Sequence, residues 1–192
     1  MSWSFRLTGW LPWIIGAFVI AGLVHIVSVL LMPLLAPQDS FARLTAATPL
    51  GQLVILQNGP PGRELLPFED PAAVIAVCRF DLAQGALRLR ANFDGEGLVL
   101  MSFRNRFGTA FYAMTDRGTS RGRLDVVIAT RAQLDAYEAQ DSEDEAPSDL
   151  RLVAPSPEGF AMLRALSLEP GQRADAQARL KAISCRTEQA PG

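Results

Sequence analysis

The chain has 192 residues, of which 49% are hydrophobic and 20% are charged, and its 18 basic and 20 acidic side chains give a formal net charge of −2. This balance argues against bulk nucleic-acid binding, which requires a basic surface. Beyond residue 35 the chain is long enough for one domain that buries about two-thirds of its unfolded-chain surface, and the sequence shows no internal repeat.

The first element is an uncharged apolar segment from Trp13 to Met32. As a helix that rises about 1.5 Å per residue, it spans the roughly 30 Å hydrocarbon core of a membrane. A cleaved signal peptide is the alternative, but its apolar stretch is shorter, about 7 to 15 residues, and it ends at a small-x-small site. The nearest such site here begins at Ser40, well past the segment. We therefore predict an uncleaved transmembrane helix over 10–35, a tail over 1–9 and the lipid bilayer as a partner.

The residues that flank this helix indicate its orientation. Indole side chains suit the headgroup layer, and three of them lie at the amino-terminal edge: Trp3, Trp10 and Trp13. Arg6 and the α-amine precede the helix without an acid, whereas Asp39 and Arg43 balance each other behind it. The positive-inside tendency then predicts a cytoplasmic tail. In a bacterium, this orientation gives an inner-membrane protein whose soluble domain is periplasmic.

The only histidine of the chain lies inside the apolar segment. It belongs to a stripe of small or polar residues at helical spacing, which comprises Ala17, Ala21, His25 and Ser28. Such a stripe suits close contact with a helix of another membrane protein or of a second copy. The alternative role of His25 is that of a haem, quinone or proton-relay ligand. Because a second ligand is missing, helix contact is favoured and no cofactor is expected.

Three prolines, Pro33, Pro37 and Pro49, predict a stiff membrane-exit linker over 36–50 with one helical turn near Ser40. A β-rich soluble domain over 51–185 and a tail over 186–192 complete the predicted organisation. Apolar or alternating stretches predict strands over 53–56, 73–80, 107–114, 124–129 and 150–154, and a helix over 131–139. The acidic stretch 141–149 lacks the spacing of a calcium loop and is predicted to be solvated.

The clearest local pattern is a predicted hairpin of strands 86–93 and 98–105. A three-residue loop over 95–97 sets the apolar side chains of both strands on one face, namely Leu87, Leu89, Ala91, Phe93, Val99, Met101 and Phe103. The other face then carries the arginines Arg88, Arg90 and Arg104, with Arg106 beside them. Guanidinium groups at this spacing suit a phosphate or carboxylate ligand. The alternative is a solvated sheet face with cross-strand acids.

Two helices are predicted near the carboxyl terminus. Ser156-Pro157-Glu158 has the residues of a helix start, with Phe160, Leu163 and Leu166 as the buried face. Pro170 opens the second helix, which would carry Cys185 to the core. The predicted fold class is therefore α+β, mainly β, with one amino-terminal transmembrane helix followed by a β-sandwich-like or open-sheet domain with C-terminal helices.

Cys78 and Cys185 are the only cysteines and lie 107 positions apart. An even pair behind a membrane anchor predicts a disulfide in an oxidising compartment, and two buried free thiols are the alternative. A metal site is not expected, because neither has a second Cys or His nearby. With His25 in the membrane, the domain has no histidine, which excludes Ser-His and Cys-His catalysis within the chain. Carboxylates that could meet in space remain as candidates for catalysis: Asp81, Asp94, Asp116 and Asp125.

Two stretches carry a family resemblance. They are His25-Ile26-x-x-Val29-Leu30-x-x-Pro33-x-x-Ala36, followed by Ala42-Arg43-Leu44, and Cys78-Arg79-Phe80-Asp81-Leu82-x-x-Gly85. Over about half of the chain they resemble small bacterial inner-membrane proteins of the domain-of-unknown-function family 1254. The family's larger members have a β-rich fold and often a second domain, whereas this chain has one. The resemblance implies a membrane-anchored periplasmic domain without an assigned activity, substrate or catalytic residue.

The sequence thus predicts an interaction or accessory protein without catalysis, whose partner is another membrane protein or a second copy and is not a nucleic acid. An alternative is a binding module for an anionic envelope ligand at the arginine face. A carboxylate-based enzyme is the second alternative.

Overall fold

A computed structural model describes residues 4–35, 40–57, 65, 70–93, 97–119, 122–141 and 148–189, without the side chains of residues 4–9, 33, 34, 40 and 170. The chain forms two compact units, Met1–Asp39 and Ser40–Gly192.

The first unit is a single helix, α1 (Ser4–Leu35). Its stretch Trp10–Met32 has a mean hydropathy of 2.7 and is long and apolar enough to cross a membrane. The described side chains of this stretch are not buried in protein. An apolar helix whose surface is uncovered all round matches the composition of a membrane span. The helix predicted over 10–35 is confirmed, and it begins earlier, at Ser4.

Among the described residues, the second unit has two sheets and three α-helices. In chain order they are α2 (Ser40–Ala47), β1 (Leu53–Ile55), β2 (Ala73–Asp81), β3 (Ala86–Asn92), β4 (Val99–Asn105), β5 (Ala110–Thr115), β6 (Arg123–Ala129), α3 (Arg131–Glu138), β7 (Leu150–Val153), β8 (Glu158–Leu166), α4 (Arg173–Lys181) and β9 (Ser184–Glu188). The five-stranded sheet has the order β1-β2-β8-β4-β5, and the four-stranded sheet has the order β7-β6-β3-β9. Every strand pair is antiparallel except β6 with β7.

The core lies between the two sheets. Alternate residues of β2, β4 and β8 face alternate residues of β3, β6 and β9, and Leu87, Leu89, Val99, Met101 and Leu163 are among those fully buried there. Alternation of this kind buries one face of each sheet and leaves the other for solvent or helices. The α+β, mainly β fold is confirmed, and of the two predicted arrangements the structure has two sheets packed face to face.

The predicted hairpin of strands 86–93 and 98–105 is wrong. β3 pairs with β6 and β9, whereas β4 pairs with β5 and β8, so the chain crosses between the sheets after residue 93. The predicted apolar faces do share one core, but they approach it from opposite sides. Alternation fixes which side chains point inward, and it does not identify the neighbouring strand. Residues 94–96 lie outside the described residues.

The helix predicted from Ser156 is also wrong, because the segment forms β8, which lies between β2 and β4. Phe160 and Leu163 therefore point to opposite faces of the sheet, with Leu163 in the central core and Phe160 in the cluster beneath α2. Apolar residues three apart fit both a helix face and a strand buried on both sides, and pairing with two strands decides between them here. The second predicted helix is confirmed as α4.

The unit begins before the predicted domain boundary. Helix α2, within the predicted linker 36–50, packs its fully buried Leu44 on the outer face of the five-stranded sheet, against Val77 and Met162 among others. Arg79 Nη1 donates hydrogen bonds to the carbonyl oxygens of Thr45 (3.0 Å) and Thr48 (2.9 Å). A cation at these carbonyls also complements the helix dipole. At the other end, β9 includes part of the predicted tail 186–192 and reaches Glu188.

The predicted disulfide is confirmed. Cys78 of β2 bonds to Cys185 of β9, with Cα atoms 6.6 Å apart. Both residues are buried in the core, so the bond joins the two sheets through the interior. The turn from α4 into β9 brings Cys185 to this position, because the helix buries Ala176 and Leu180 in the same core.

Candidate functional site

The four arginines predicted to form an anion-binding face lie in different places. Arg88 and Arg90 lie on β3 in the four-stranded sheet, whereas Arg104 lies next to the last residue of β4 in the five-stranded sheet and Arg106 follows that strand in a turn. Because β3 and β4 do not pair, a single face with all four is not formed.

Arg104 and Arg106 make local contacts at the turn into β5. Arg104 Nη1 donates to the carbonyl oxygen of Gly108 at 2.7 Å, and its Nε donates to Ser102 Oγ at 3.3 Å. The Arg106 guanidinium lies 5.3 Å from the centroid of the Phe107 ring. The two hydrogen bonds of Arg104 stabilise this turn, so its position is explained without a bound ligand.

Arg88 and Arg90 belong to the outer face of the four-stranded sheet. We define the basic face as the outward residues of β3, β6 and β9 around them: Arg88, Arg90, Arg123, Asp125, Ser184, Arg186 and Glu188. In the register, Arg90 lies opposite Asp125 on one side and Ser184 on the other. Arg123 and Arg186 are its diagonal neighbours, a relation that separates Cα atoms by about 7–8 Å.

An ion-pair network runs through the basic face. Arg88 Nε and Nη2 donate to the two carboxylate oxygens of Asp125 at 2.7 and 2.9 Å, and Arg90 Nε donates to Asp125 Oδ2 at 3.2 Å. Glu188 lies within 3.5 Å of Arg88 Nη1 and 3.6 Å of Arg90 Nη1. The Arg88 side chain is only 19% exposed. This two-bond geometry is the strong form of an arginine–carboxylate pair. The guanidinium donors of Arg88 are therefore paired with acids of the neighbouring strands.

The network fixes the charges of its members. Burial favours the neutral form of the Asp125 carboxyl, but hydrogen bonds from Arg88 and Arg90 outweigh it and leave the pKa of Asp125 below its ordinary value. The hydrogen bond to Asp125 raises the pKa of Arg88. The stability that Asp125 contributes is therefore fully present above about pH 4, the ordinary pKa of an aspartate, and is lost as the pH falls through the lower folded-state pKa.

We expect Asp125→Asn to lower the free energy of unfolding at pH 7 by about 1–3 kcal/mol, because Arg88 loses a charged acceptor in a partly buried site. The variant should also lose less stability than the parent chain between pH 4 and pH 2. Urea unfolding of the full chain in detergent across this pH range measures both effects. Asp141→Asn is the matched control, since Asp141 accepts two hydrogen bonds from Arg151 at an exposed site. An equal loss in both variants would contradict the argument from burial.

The basic face keeps an excess of positive charge. Four guanidinium groups against two carboxylates leave a formal charge of +2. Arg90 is 51% exposed, and within the described part of the chain Arg123 and Arg186 are exposed and make no ion pair. Beside Arg90 and Arg123 opens a cleft of about 470 Å³, lined by these two residues and by Asn92, Leu124, Asp125 and Ser184 among others. Exposed guanidinium groups around an open cleft provide donors for a phosphate or carboxylate group.

Sequence reasoning missed Arg123 and Arg186. The alternation of Arg123 and Asp125 with buried Leu124 and Val126 indicates that these charges face outward. Their position beside Arg90 depends on the pairing of β3 with β6 and β9, and the sequence carries no local signal for that pairing.

The described candidate carboxylates each have a separate local partner. Asp81 accepts a hydrogen bond from the amide of Ala83, Asp116 accepts one from the amide of Arg117, and Asp125 is ion-paired. Asp94 lies outside the described residues. In the described ranges, groups of three or more His, Cys, Asp or Glu side chains that could hold a metal ion are absent.

The stripe predicted on the apolar helix is exposed along its length. Ala17, Ala21, His25 and Ser28 recur every three or four residues on α1, and their side chains are all uncovered in the described unit. The stripe is therefore available to a neighbouring helix.

No protein-family model matches the chain, and no curated protein matches it either. Among solved structures, the chain is similar to the crystal structure of the VPA0106 protein from Vibrio parahaemolyticus, with 15% identity and a TM-score of 0.53 over 77% of this chain and 34% of that one. It is also similar to an uncharacterised protein from Burkholderia cenocepacia, with 13% identity and a TM-score of 0.43 over 72% of this chain and 34% of that one. The chain spans about a third of the length of each. The first likeness shows a shared fold.

Proposed function

We propose that this protein is a single-pass bacterial inner-membrane protein whose β-rich domain lies in the periplasm and acts there without catalysis, as an accessory domain that binds an anionic envelope ligand. Two observations support the location. The stretch Trp10–Met32 has the length and composition of a membrane span. The Cys78–Cys185 disulfide suits an oxidising compartment.

The location is tested by single cysteines at the two ends of the chain. In intact cells, a membrane-impermeant maleimide should label Gln189→Cys, which is exposed after β9. It should label Ser2→Cys only after the membrane is opened. The reverse pattern would place the domain in the cytoplasm and overturn the proposed location.

The ligand class rests on one observation, the excess of exposed guanidinium groups around the cleft of the basic face. Arg88 is committed to Asp125, but Arg90, Arg123 and Arg186 retain donors that face solvent. A phosphate or carboxylate that bridges two of these side chains gains charge-assisted hydrogen bonds of about 1.5–3 kcal/mol each. Such groups occur on lipid headgroups and on soluble anions, so the chemistry is shared by two sources.

The test uses the full chain in nanodiscs of zwitterionic lipid, with inorganic pyrophosphate and short-chain phosphatidylglycerol as separate probes. We expect the Arg90→Gln, Arg123→Gln double variant to bind at least tenfold more weakly by calorimetry. Arg164→Gln is the matched control, because Arg164 is an exposed arginine of β8 in the other sheet. Binding of phosphatidylglycerol alone would indicate a headgroup ligand, and binding of pyrophosphate alone a soluble one. Unchanged binding of both probes by the double variant would remove the proposed ligand class.

A second candidate role is contact with a membrane partner through α1, favoured by the exposed stripe of Ala17, Ala21, His25 and Ser28. Small residues allow helices to approach closely, and an imidazole in hydrocarbon gains from a partner across the contact. The partner is another membrane protein or a second copy. If Ala21→Leu combined with His25→Leu left the size of the complex in mild detergent unchanged, this role would be wrong.

We also propose that the chain is related to the domain-of-unknown-function family 1254. The stretch Cys78 to Gly85 supports this relation, since it forms the end of β2 and the turn into β3 within a β-rich domain. An alignment of homologues that kept this stretch and the helix exit in register with the family would test it.

A further inference from the structure

Two open sheets have four edge strands, which are β1, β5, β7 and β9 in the described residues. An unpaired edge exposes backbone donors and acceptors, and proteins protect it with short strands, charges or a covering element. β1 has three residues and contacts α4. β7 carries Arg151, which is ion-paired with Asp141 and Asp149. β9 carries Arg186 and Glu188.

The fourth edge strand, β5, is uncharged, and among the described residues β4 is the only strand that pairs with it; this pairing shifts at Phe111, which is a local irregularity of the edge. Its six residues read Ala-Phe-Tyr-Ala-Met-Thr, without a charge, a proline or a glycine. Tyr112 is 38% exposed although its register partner Phe103 is fully buried. Phe107, in the preceding turn, is 74% exposed, and Leu100 of β4 is 39% exposed. An uncharged edge beside uncovered apolar side chains is a template for an added strand.

We propose that β5 pairs antiparallel with β5 of a second copy, so that the two five-stranded sheets become one continuous sheet across a two-fold axis. A two-fold contact needs a surface that complements itself. β5 meets this condition, because in every antiparallel register uncharged residues oppose uncharged residues. A register centred on Ala113 places Ala113 opposite its own copy and the aromatic Tyr112 opposite Met114, with both members of each pair on the same face of the sheet. Cross-strand pairs of this kind stabilise sheets.

The size of the contact determines where it forms. Six residues of strand are about 20 Å long, and their edge with the nearby apolar side chains falls below the roughly 800 Å² per partner of a standard interface. The pair is therefore weak between free domains in dilute solution. A membrane anchor raises the effective concentration of the domains, which compensates for the small contact. This last step rests on the proposed anchoring by α1.

The experiment measures energy transfer between labelled full chains in liposomes at a fixed protein-to-lipid ratio. Ala113→Lys places a charge on the exposed outer side of β5, next to its copy across the axis, and like charges there are destabilising. We expect this variant to dimerise at least tenfold more weakly. Val153→Lys, at a 41% exposed position of the edge strand β7, should dimerise as the parent chain does. Mixing Ala113→Lys with Ala113→Glu should restore the dimer, which separates pairing from damage to the fold.

A liposome flotation assay tests the anchoring independently, because a chain that is not anchored would not float with the liposomes. In that case sedimentation at high protein concentration, with the same variants, decides whether β5 pairs. A parent chain that stays monomeric in both settings would overturn the proposal. So would dimerisation that Ala113→Lys leaves unchanged, since the contact would then lie elsewhere, for example on the stripe of α1.

Discussion

Replacing both Cys78 and Cys185 by alanine should lower the free energy of unfolding of the β-rich domain by about 3–5 kcal/mol, the range set by the entropy of closing a long loop. The bond closes a loop across 107 positions and joins β2 of one sheet to β9 of the other. Without it, the unfolded chain gains freedom, and β9, an edge strand, is no longer tied to the opposite sheet. Typical domains have a net stability of only about 5–15 kcal/mol, so this loss is a large part of the total.

The measurement is urea unfolding of the full chain in detergent, followed by near-ultraviolet circular dichroism. The single variant Cys78→Ala should lose a similar amount, because either substitution removes the bond. The parent chain unfolded in the presence of reductant is a second control, and it should approach the double variant. A loss below about 1 kcal/mol in the double variant would contradict the loop-closure argument.

A side chain at Gly159 should be nearly as damaging. Gly159 lies on β8 between β2 and β4, and a Cβ atom there would overlap the carbonyl oxygen of Arg104 and the ring of Phe80. The carbonyl oxygen of Arg104 belongs to the backbone of a paired strand and cannot move aside as a side chain could. The Phe80 ring is fully buried. We expect Gly159→Ala to lower the free energy of unfolding by about 3 kcal/mol, at the upper end of the range for overpacking.

Gly171→Ala is the matched control for this substitution. Gly171 is exposed, and a Cβ atom there would meet nothing within 4 Å. The same urea experiment should find its stability within about 0.5 kcal/mol of the parent chain. If Gly159→Ala were equally neutral, then β4 and β8 would not approach each other as closely as the structure shows.

The sequence predicted inward and outward positions well and strand partners poorly. Alternation in 86–93 and 98–105 correctly identified Leu89 and Met101 as core residues. The same pattern suggested that the two strands pair, because a short glycine-rich segment joins them. The structure instead places them on opposite sides of the core. Alternation reports the environment of each strand, whereas pairing depends on segments far along the chain, here β6, β8 and β9.

The same limit explains why only part of the candidate site was predicted from the sequence. Arg88 and Arg90 were predicted to face outward, and they do. Their predicted neighbour Arg104 lies in the other sheet, and their observed neighbours Arg123 and Arg186 come from strands 33 or more positions away. The acid that pairs with Arg88 was foreseen as a class, a cross-strand carboxylate, but its identity as Asp125 required the strand order.

The strand order also sets the timing of folding. β2 pairs with β8, and β3 pairs with β9, so neither sheet is complete until the last described strands have been synthesised. Contacts between such distant segments form slowly. Until they have formed, the incomplete sheets expose apolar surface and unpaired strand edges. During that interval Cys78 is a thiol without its partner, since Cys185 follows it by 107 positions. We therefore expect a newly made chain to depend on protection from aggregation and on an oxidant that acts after Cys185 has emerged.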